Sequence, residues 1–132
     1  MDCIFCKIIK GEIPSYKIYE DDKTYAFLDI ACDSYGHTLV IPKKHCTNIL
    51  DCDEEYLKAT IATAQKISRH FVENCGFEGV NVLNASGESA QQTVFHLHLH
   101  VIPRKAGDGI DIWALKEKKE LDLEEICKKL KI

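Results

Sequence analysis

Apolar residues along the chain change their spacing from one segment to the next, and those changes mark its elements. "CIFCKII" is a short apolar block, enough for one or two helical turns. "YKIYED" and "TYAFLDI" are rich in aromatic and β-branched residues and flank the polar "DDK", which predicts a hairpin. "HTLVIP" predicts a third strand that stops at Pro42, a residue with no N–H for a ladder. From about Asp53 to Cys75 the period becomes helical, and Leu57, Ile61, Ala64, Phe71 and Cys75 define a predicted buried stripe. Asp53, Glu54 and Glu55 suit the positive end of that helix, and Gly76 is its stop. "GVNVLNA" and "HLHLHVIPR" predict a fourth and a fifth strand, and "LDLEEICKKLKI" a short amphipathic helix. Clustered strands around one long helix predict an α+β fold: a mostly antiparallel five-stranded sheet with short flanking helices.

Size and charge narrow the function classes. A chain of 132 residues suits a single domain, 1–132, with one core. No apolar run approaches the ~18 residues of a membrane span, and the N-terminus lacks the long apolar core of a secretion signal. A cytoplasmic protein without a membrane partner is expected. The net charge of −4 argues against a broad nucleic-acid surface, so an anion site has to be built locally. Seven cysteines, an odd number, point to reduced thiols or metal ligands and away from a disulfide framework.

The stretch from His96 to Arg104 holds half of the six histidines. Side chains alternate across a strand, so His96, His98 and His100 share one face while Leu97, Leu99 and Val101 share the other. At ~3.3 Å per residue the outer pair stand ~13 Å apart, too far to meet on one ion without bending the strand. Three readings compete: a His-rich solvated face, a metal site, or nucleophilic catalysis by a neutral imidazole. No GxxxxGK loop, HExxH helix or GxSxG elbow offers another chemistry. Just upstream, "NASGESAQQTVF" supplies Asn84, Ser86, Ser89, Gln91, Gln92 and Thr93, polar groups suited to gripping phosphate oxygens.

"HLHLHVI" matches the His-φ-His-φ-His-φ-φ signature of the histidine triad (HIT) family. "CIFCKIIKGEIPSYKIYEDD", "AFLDI", "GHTLVIPKKH" and "QTVFHLHLHVIPR" resemble family segments in family order. The likeness covers roughly 2–104 and leaves 105–132 as a C-terminal extension with its own helix. It implies a HIT-like fold and a hydrolase or transferase acting at the α-phosphate of a purine nucleotide derivative. The substrate would be a nucleoside phosphoramidate or a dinucleoside polyphosphate. His98 would be the nucleophile and form a covalent nucleotidyl-histidine, oriented through its second nitrogen by a backbone carbonyl or by His37. His100 would meet a phosphate oxygen or the leaving group, and Gln92 and Thr93 would contact the same groups. Asp29 would bind the ribose hydroxyls, and Asn84 the ribose or phosphate edge. Ile4, Phe5, Ile8, Phe27, Ile30 and Leu39 match the apolar slot for the base. Where the family commonly has glycine this chain has Gln91, which points to a phosphate loop of different shape.

Cys3 and Cys6 form a C-x-x-C pair, which can share one zinc or serve as a redox pair. The resemblance adds His45 and His96 and implies a closed, structural zinc site of Cys3, Cys6, His45 and His96. Cys46 is the second choice to His45, and Cys32, Cys52, Cys75 and Cys127 read as small buried residues or spare thiols. The family also implies a homodimer, for which Ala59, Ala62 and Ala64 offer a helix surface of small residues. Two alternatives stay open. One is a metal-dependent phosphohydrolase with the three histidines as ligands; the other is a nucleotide-binding or interaction module with little turnover.

Overall fold

The computed structural model describes residues 2–113 and 117–132. Helix α1 (Ile4–Ile9) leads into the hairpin of β1 (Lys17–Glu20) and β2 (Thr24–Leu28), followed by β3 (Thr38–Pro42). The long helix α2 (Glu54–Asn74) precedes β4 (Gly79–Leu83) and β5 (Leu99–Arg104), and α3 (Leu123–Leu130) comes last. The sheet has five strands in the order β1-β2-β3-β5-β4, and every pairing is antiparallel. The predicted hairpin turn is held by Asp21, whose Oδ1 accepts from the N–H groups of Lys23 and Thr24 and from the Thr24 hydroxyl. Among the described residues, no helix is long and apolar enough to cross a membrane.

Strand alternation splits the core between the two faces of the sheet. Tyr25, Phe27, Leu39 and Ile41 point to one face, where Cys3, Phe5 and Ile8 from the α1 end cover them. Ala26, Val40, Leu99 and Val101 point to the other, beneath Ala64, Ile67 and Phe71 of α2. The α2 stripe differs from the expected one. Thr60, Thr63, Ala64, Ile67 and Phe71 are its buried residues, whereas Ile61 is half exposed and Cys75 exposed. The threonines can be buried because their hydroxyls are satisfied: Thr60 donates to the Tyr56 carbonyl at 2.7 Å, and Thr63 pairs with Thr24 at 2.8 Å. Asp53 caps the start of α2 by accepting from Glu55 N–H, and Gly76, at φ +80, turns the chain away at its end.

The last strand is also shorter than expected. Regular pairing with β3 ends at Val40↔Leu99, so His96 and His98 precede β5 and only His100 lies in it. Antiparallel register would next place Pro42 opposite Leu97, and Pro42 has no N–H to donate. Leu97 N–H goes instead to the Cys46 carbonyl at 3.0 Å. His100 pairs with Leu39 and so stands on the α1 face. The histidine face is therefore the one that α1 covers, and the α2 face supports it from behind. Gly36 fixes the approach to His37: its φ is +79, and a Cβ there would come within 2.8 Å of Pro103. Helix α3 carries no buried residue.

Candidate functional site

Three segments meet where the chain enters β5. Cys3 and Cys6 come from the start of α1, His45 from the loop after β3, and His96 from the irregular approach to β5. Cys3 Sγ lies 3.5 Å from His96 Nδ1, and Cys6 Sγ lies 3.4 Å from His45 Nδ1 and 3.6 Å from His96 Nδ1. The two Nδ1 atoms are 3.1 Å apart. A tetrahedral zinc, with bonds of ~2.3 Å to sulfur and ~2.0–2.1 Å to nitrogen, would hold sulfur and nitrogen about 3.5 Å apart. The donor set fits that ion in type and in spacing. His96 Nε2–H donates to the Pro42 carbonyl at 2.9 Å, which leaves Nδ1 bare to act as a ligand. Burial pushes the His96 ring down to about 4, so it stays neutral. Cys46 is buried nearby but stands outside this donor group. Of the other four cysteines, Cys32, Cys75 and Cys127 are exposed and Cys52 is partly buried, which makes them spare thiols.

His98 is 7% exposed, with the Phe5 ring edge-on to it at 5.3 Å between centroids. Its Nδ1–H donates to the His96 carbonyl at 2.8 Å. Of the two acceptors expected from the sequence, the backbone carbonyl is the one used. Burial lowers the His98 pKa, so at neutral pH the ring is uncharged and its Nε2 carries a free lone pair. Asn84 Nδ2 donates to the His98 carbonyl at 3.1 Å and so fixes the backbone on that side.

His37 turns to His100 instead, with His37 Nε2 and His100 Nδ1 at 2.8 Å. The other nitrogen of His37 donates to Asp33 Oδ1 at 2.7 Å, and Asp29 Oδ2 lies 3.7 Å from it. Burial, reinforced by His98 and His37, pushes the His100 ring down to about 4. Among the described residues the metal-competent donors form two groups, Cys3–Cys6–His45–His96 and Asp29–His37–His100. Among the described residues, no such group joins His96, His98 and His100.

The polar loop before β5 departs from its sequence reading at Gln92. Gln92 is buried, and its amide is fully engaged inside the protein: Nε2 donates to the Thr47 and Val94 carbonyls, and Oε1 accepts from Gly87 N–H and Asn48 Nδ2. It holds the loop's shape and offers a phosphate no free group. Thr93 beside it is exposed. Gln91 sits at φ 71, ψ 27, the left-handed conformation that glycine adopts without strain. Gln91 thus bears in its own backbone the strain that a glycine would avoid. Ser86 links the loop to its neighbours, donating to Asn84 Oδ1 and accepting from Ile49 N–H.

The residues matched to a base slot separate into two kinds. Phe5, Ile8, Phe27 and Leu39 form one buried cluster next to the histidines. Ile4, at 50% exposure, and Ile30, at 81%, stand out in solvent. Asp29 Oδ1 accepts from Ala31 N–H at 2.8 Å. A groove of about 1130 Å³ runs past Asp29, Asp33 and His37 toward Phe77 and Lys105. Sequence reasoning missed Asp33 and Asn48, because both act through loop conformations that carry no periodic signal.

A family model described as HIT domain matches residues 10–107. The chain is 45% identical to "Adenosine 5'-monophosphoramidase HNT1" of Candida albicans, over 78% of this chain and 70% of that protein. It is 41% identical to "Adenylylsulfatase HINT3" of Arabidopsis thaliana, over 86% of this chain but 56% of that protein. A solved HIT-family structure from Bacillus subtilis superposes with a TM-score of 0.83 at 44% identity, covering 98% of this chain and 94% of that one. A zinc-bound histidine triad family protein from Mycobacterium smegmatis superposes with a TM-score of 0.80 at 40% identity, covering 95% and 87%.

The strain at Gln91 gives a measurable expectation. Gln91→Gly removes a left-handed non-glycine residue and should raise the unfolding free energy by up to about 1 kcal/mol in urea titrations. A loss of stability would mean that the Gln91 side chain makes contacts worth more than the strain.

Proposed function

Because the chain belongs to the histidine triad (HIT) domain family, we propose that it is a nucleotidyl hydrolase or transferase working through His98. The substrate is a purine nucleotide derivative, a nucleoside phosphoramidate or a dinucleoside polyphosphate. The observation that carries this reading is the His98 Nδ1–H bond to the His96 carbonyl at 2.8 Å. It leaves Nε2 as an unprotonated nucleophile of fixed direction, in a ring that burial keeps neutral. In the first step Nε2 bonds to the α-phosphorus and the bond to the leaving group breaks, its electron pair departing with that group, which takes a proton from solvent. In the second, water or another acceptor takes the nucleotidyl group and His98 is restored. Two relatives named for action on adenosine 5'-monophosphoramidate and adenylylsulfate support the substrate class.

Placement supports the remaining roles in this reading. Asp29 Oδ2 serves the ribose hydroxyls, its other oxygen being held by Ala31. Phe5, Ile8, Phe27 and Leu39 form the floor against which a base rests, with Ile4 and Ile30 as its exposed rim. Thr93 and the backbone N–H groups of the loop serve phosphate oxygens, and Asn84 steadies His98. His100 stands at the leaving-group side of His98, their ring centroids 4.9 Å apart. Cys3, Cys6, His45 and His96 would hold zinc, which with four protein ligands supplies a structural clamp between α1 and the catalytic segment. All seven cysteines are free thiols, which supports a reducing, cytoplasmic setting.

A homodimer is part of the same reading. The edge strand β4 exposes Val82 and Leu83, and the outer face of α2 exposes Ile61 and Val72. Sedimentation equilibrium should give twice the chain mass; a monomer at micromolar concentration would remove this part.

His98→Ala should lower kcat on an adenosine phosphoramidate by at least about 10³-fold, the scale of nucleophile loss. Mass spectrometry of acid-quenched parent enzyme should find a nucleotidyl group on His98. Turnover by the variant at the parental rate would end the proposal. Stripping zinc with a chelator should lower the unfolding free energy by several kcal/mol, as expected for a structural site, with kcat per folded molecule little changed. Loss of activity in step with metal, at unchanged stability, would favour a catalytic ion.

A further inference from the structure

His37 and His100 are linked in a line that ends at a carboxylate the family reading leaves without a role. Asp33 Oδ1 sits 2.7 Å from His37 Nδ1, and His37 Nε2 sits 2.8 Å from His100 Nδ1. The His37 hydrogen bond holds the Asp33 carboxyl below its usual range, so at neutral pH it is ionised and can only accept. His37 Nδ1 must then carry the hydrogen. With its hydrogen on Nδ1, the His37 ring accepts at Nε2 from His100 Nδ1–H. The His100 ring, pushed by burial to about 4, is neutral, so with its hydrogen turned to His37 its own Nε2 is bare. Each tautomer follows from the one before it, and the first is set by Asp33.

The loop is built to hold Asp33 there. Asp29 N–H donates to the His37 carbonyl at 2.9 Å, closing residues 29–37 on themselves, and Gly36 supplies the left-handed turn just before His37. The other acid facing His37 is Asp29, whose Oδ2 at 3.7 Å is beyond hydrogen-bond range and whose Oδ1 is held by Ala31 N–H. His98 faces His100 from the opposite side, with ring centroids 4.9 Å apart. Asp33 is therefore the carboxylate that holds the hydrogen on His37 Nδ1, while Asp29, one oxygen held by Ala31, stands too far off to do so.

We propose that Asp33 is a positioning residue that, through His37, keeps Nε2 of His100 as a bare acceptor for the release half of the reaction. The inference rests on the nucleotidyl-His98 reading above. In that half, a water oxygen bonds to phosphorus while its proton passes to His100 Nε2. The bond between phosphorus and His98 Nε2 breaks, and its electron pair returns to His98. His100, now an imidazolium, gives its extra proton to solvent. Without Asp33 the two rings are free to exchange tautomers, and a His100 that carries hydrogen on Nε2 cannot take a proton from water. Attack by His98 does not use this lone pair and proceeds as before.

The test separates the two half-reactions by rapid quench with an adenosine phosphoramidate, comparing the parent with Asp33→Ala and Asp33→Asn. Asp33 is largely exposed, so both chains are expected to fold. Asp33→Ala should form the His98 adduct at the parental rate and release it about 10- to 100-fold more slowly, the range typical of groups that orient a functional imidazole. The adduct then accumulates in the steady state. Asp33→Asn, whose amide oxygen can still accept from His37, should release it at close to the parental rate. Release by Asp33→Ala at the parental rate would overturn the inference. So would equal slowing of both steps, or an Asp33→Asn as slow as Asp33→Ala. If the parent itself forms no His98 adduct, the underlying mechanism fails first, and that is seen before any variant is compared.

Discussion

The hydrogen bond from His96 to the carbonyl of Pro42 organises the end of the sheet where the histidines gather. Pro42 ends the ladder with β5 because it has no N–H, yet its carbonyl remains to be satisfied. The His96 ring meets that need through Nε2, which turns Nδ1 toward the thiols of Cys3 and Cys6. Freed from strict pairing, the backbone at His96 leaves its carbonyl available, and His98 Nδ1–H takes it. One missing donor in β3 is thereby connected to the ligand nitrogen of one histidine and the bare nitrogen of the next.

A second line of fixed tautomers enters from the opposite side, through Asp33, His37 and His100. The two lines start from acceptors that cannot donate, a carbonyl and a carboxylate, and both end at an imidazole lone pair. They converge on neighbouring rings, His98 and His100. Burial keeps both rings neutral, so what each ring nitrogen can accept is decided by direction and not by charge. The apolar face under α1 supplies the burial, and the α2 face gives the sheet its rigid back.

Much of this was legible in the residues. The hairpin, the third strand and the long helix follow from spacing and β-branching, and α2 ends within a residue of its predicted bounds. The inward face of α2 was not legible, because Thr60 and Thr63 read as polar until their hydroxyl partners are known. The alternation of His96, His98 and His100 was visible, but where regular pairing begins depends on which residue faces Pro42, a tertiary fact. The C-x-x-C pair announced itself, while His45 and His96 entered only through resemblance. Gln92 looked like a ligand-facing amide; its four partners come from three separate segments and leave no trace in local pattern.

The wide separation of the thiols from their partner also governs the order in which the molecule is made. Cys3 meets a histidine 93 positions downstream, so α1 cannot dock until most of the chain has left the ribosome. Through that interval Cys3, Cys6 and Phe5 have no cover. Their partner His96 arrives just ahead of β5, the strand that joins β3 to β4, so α1 closes over the sheet only as the last strand takes its place.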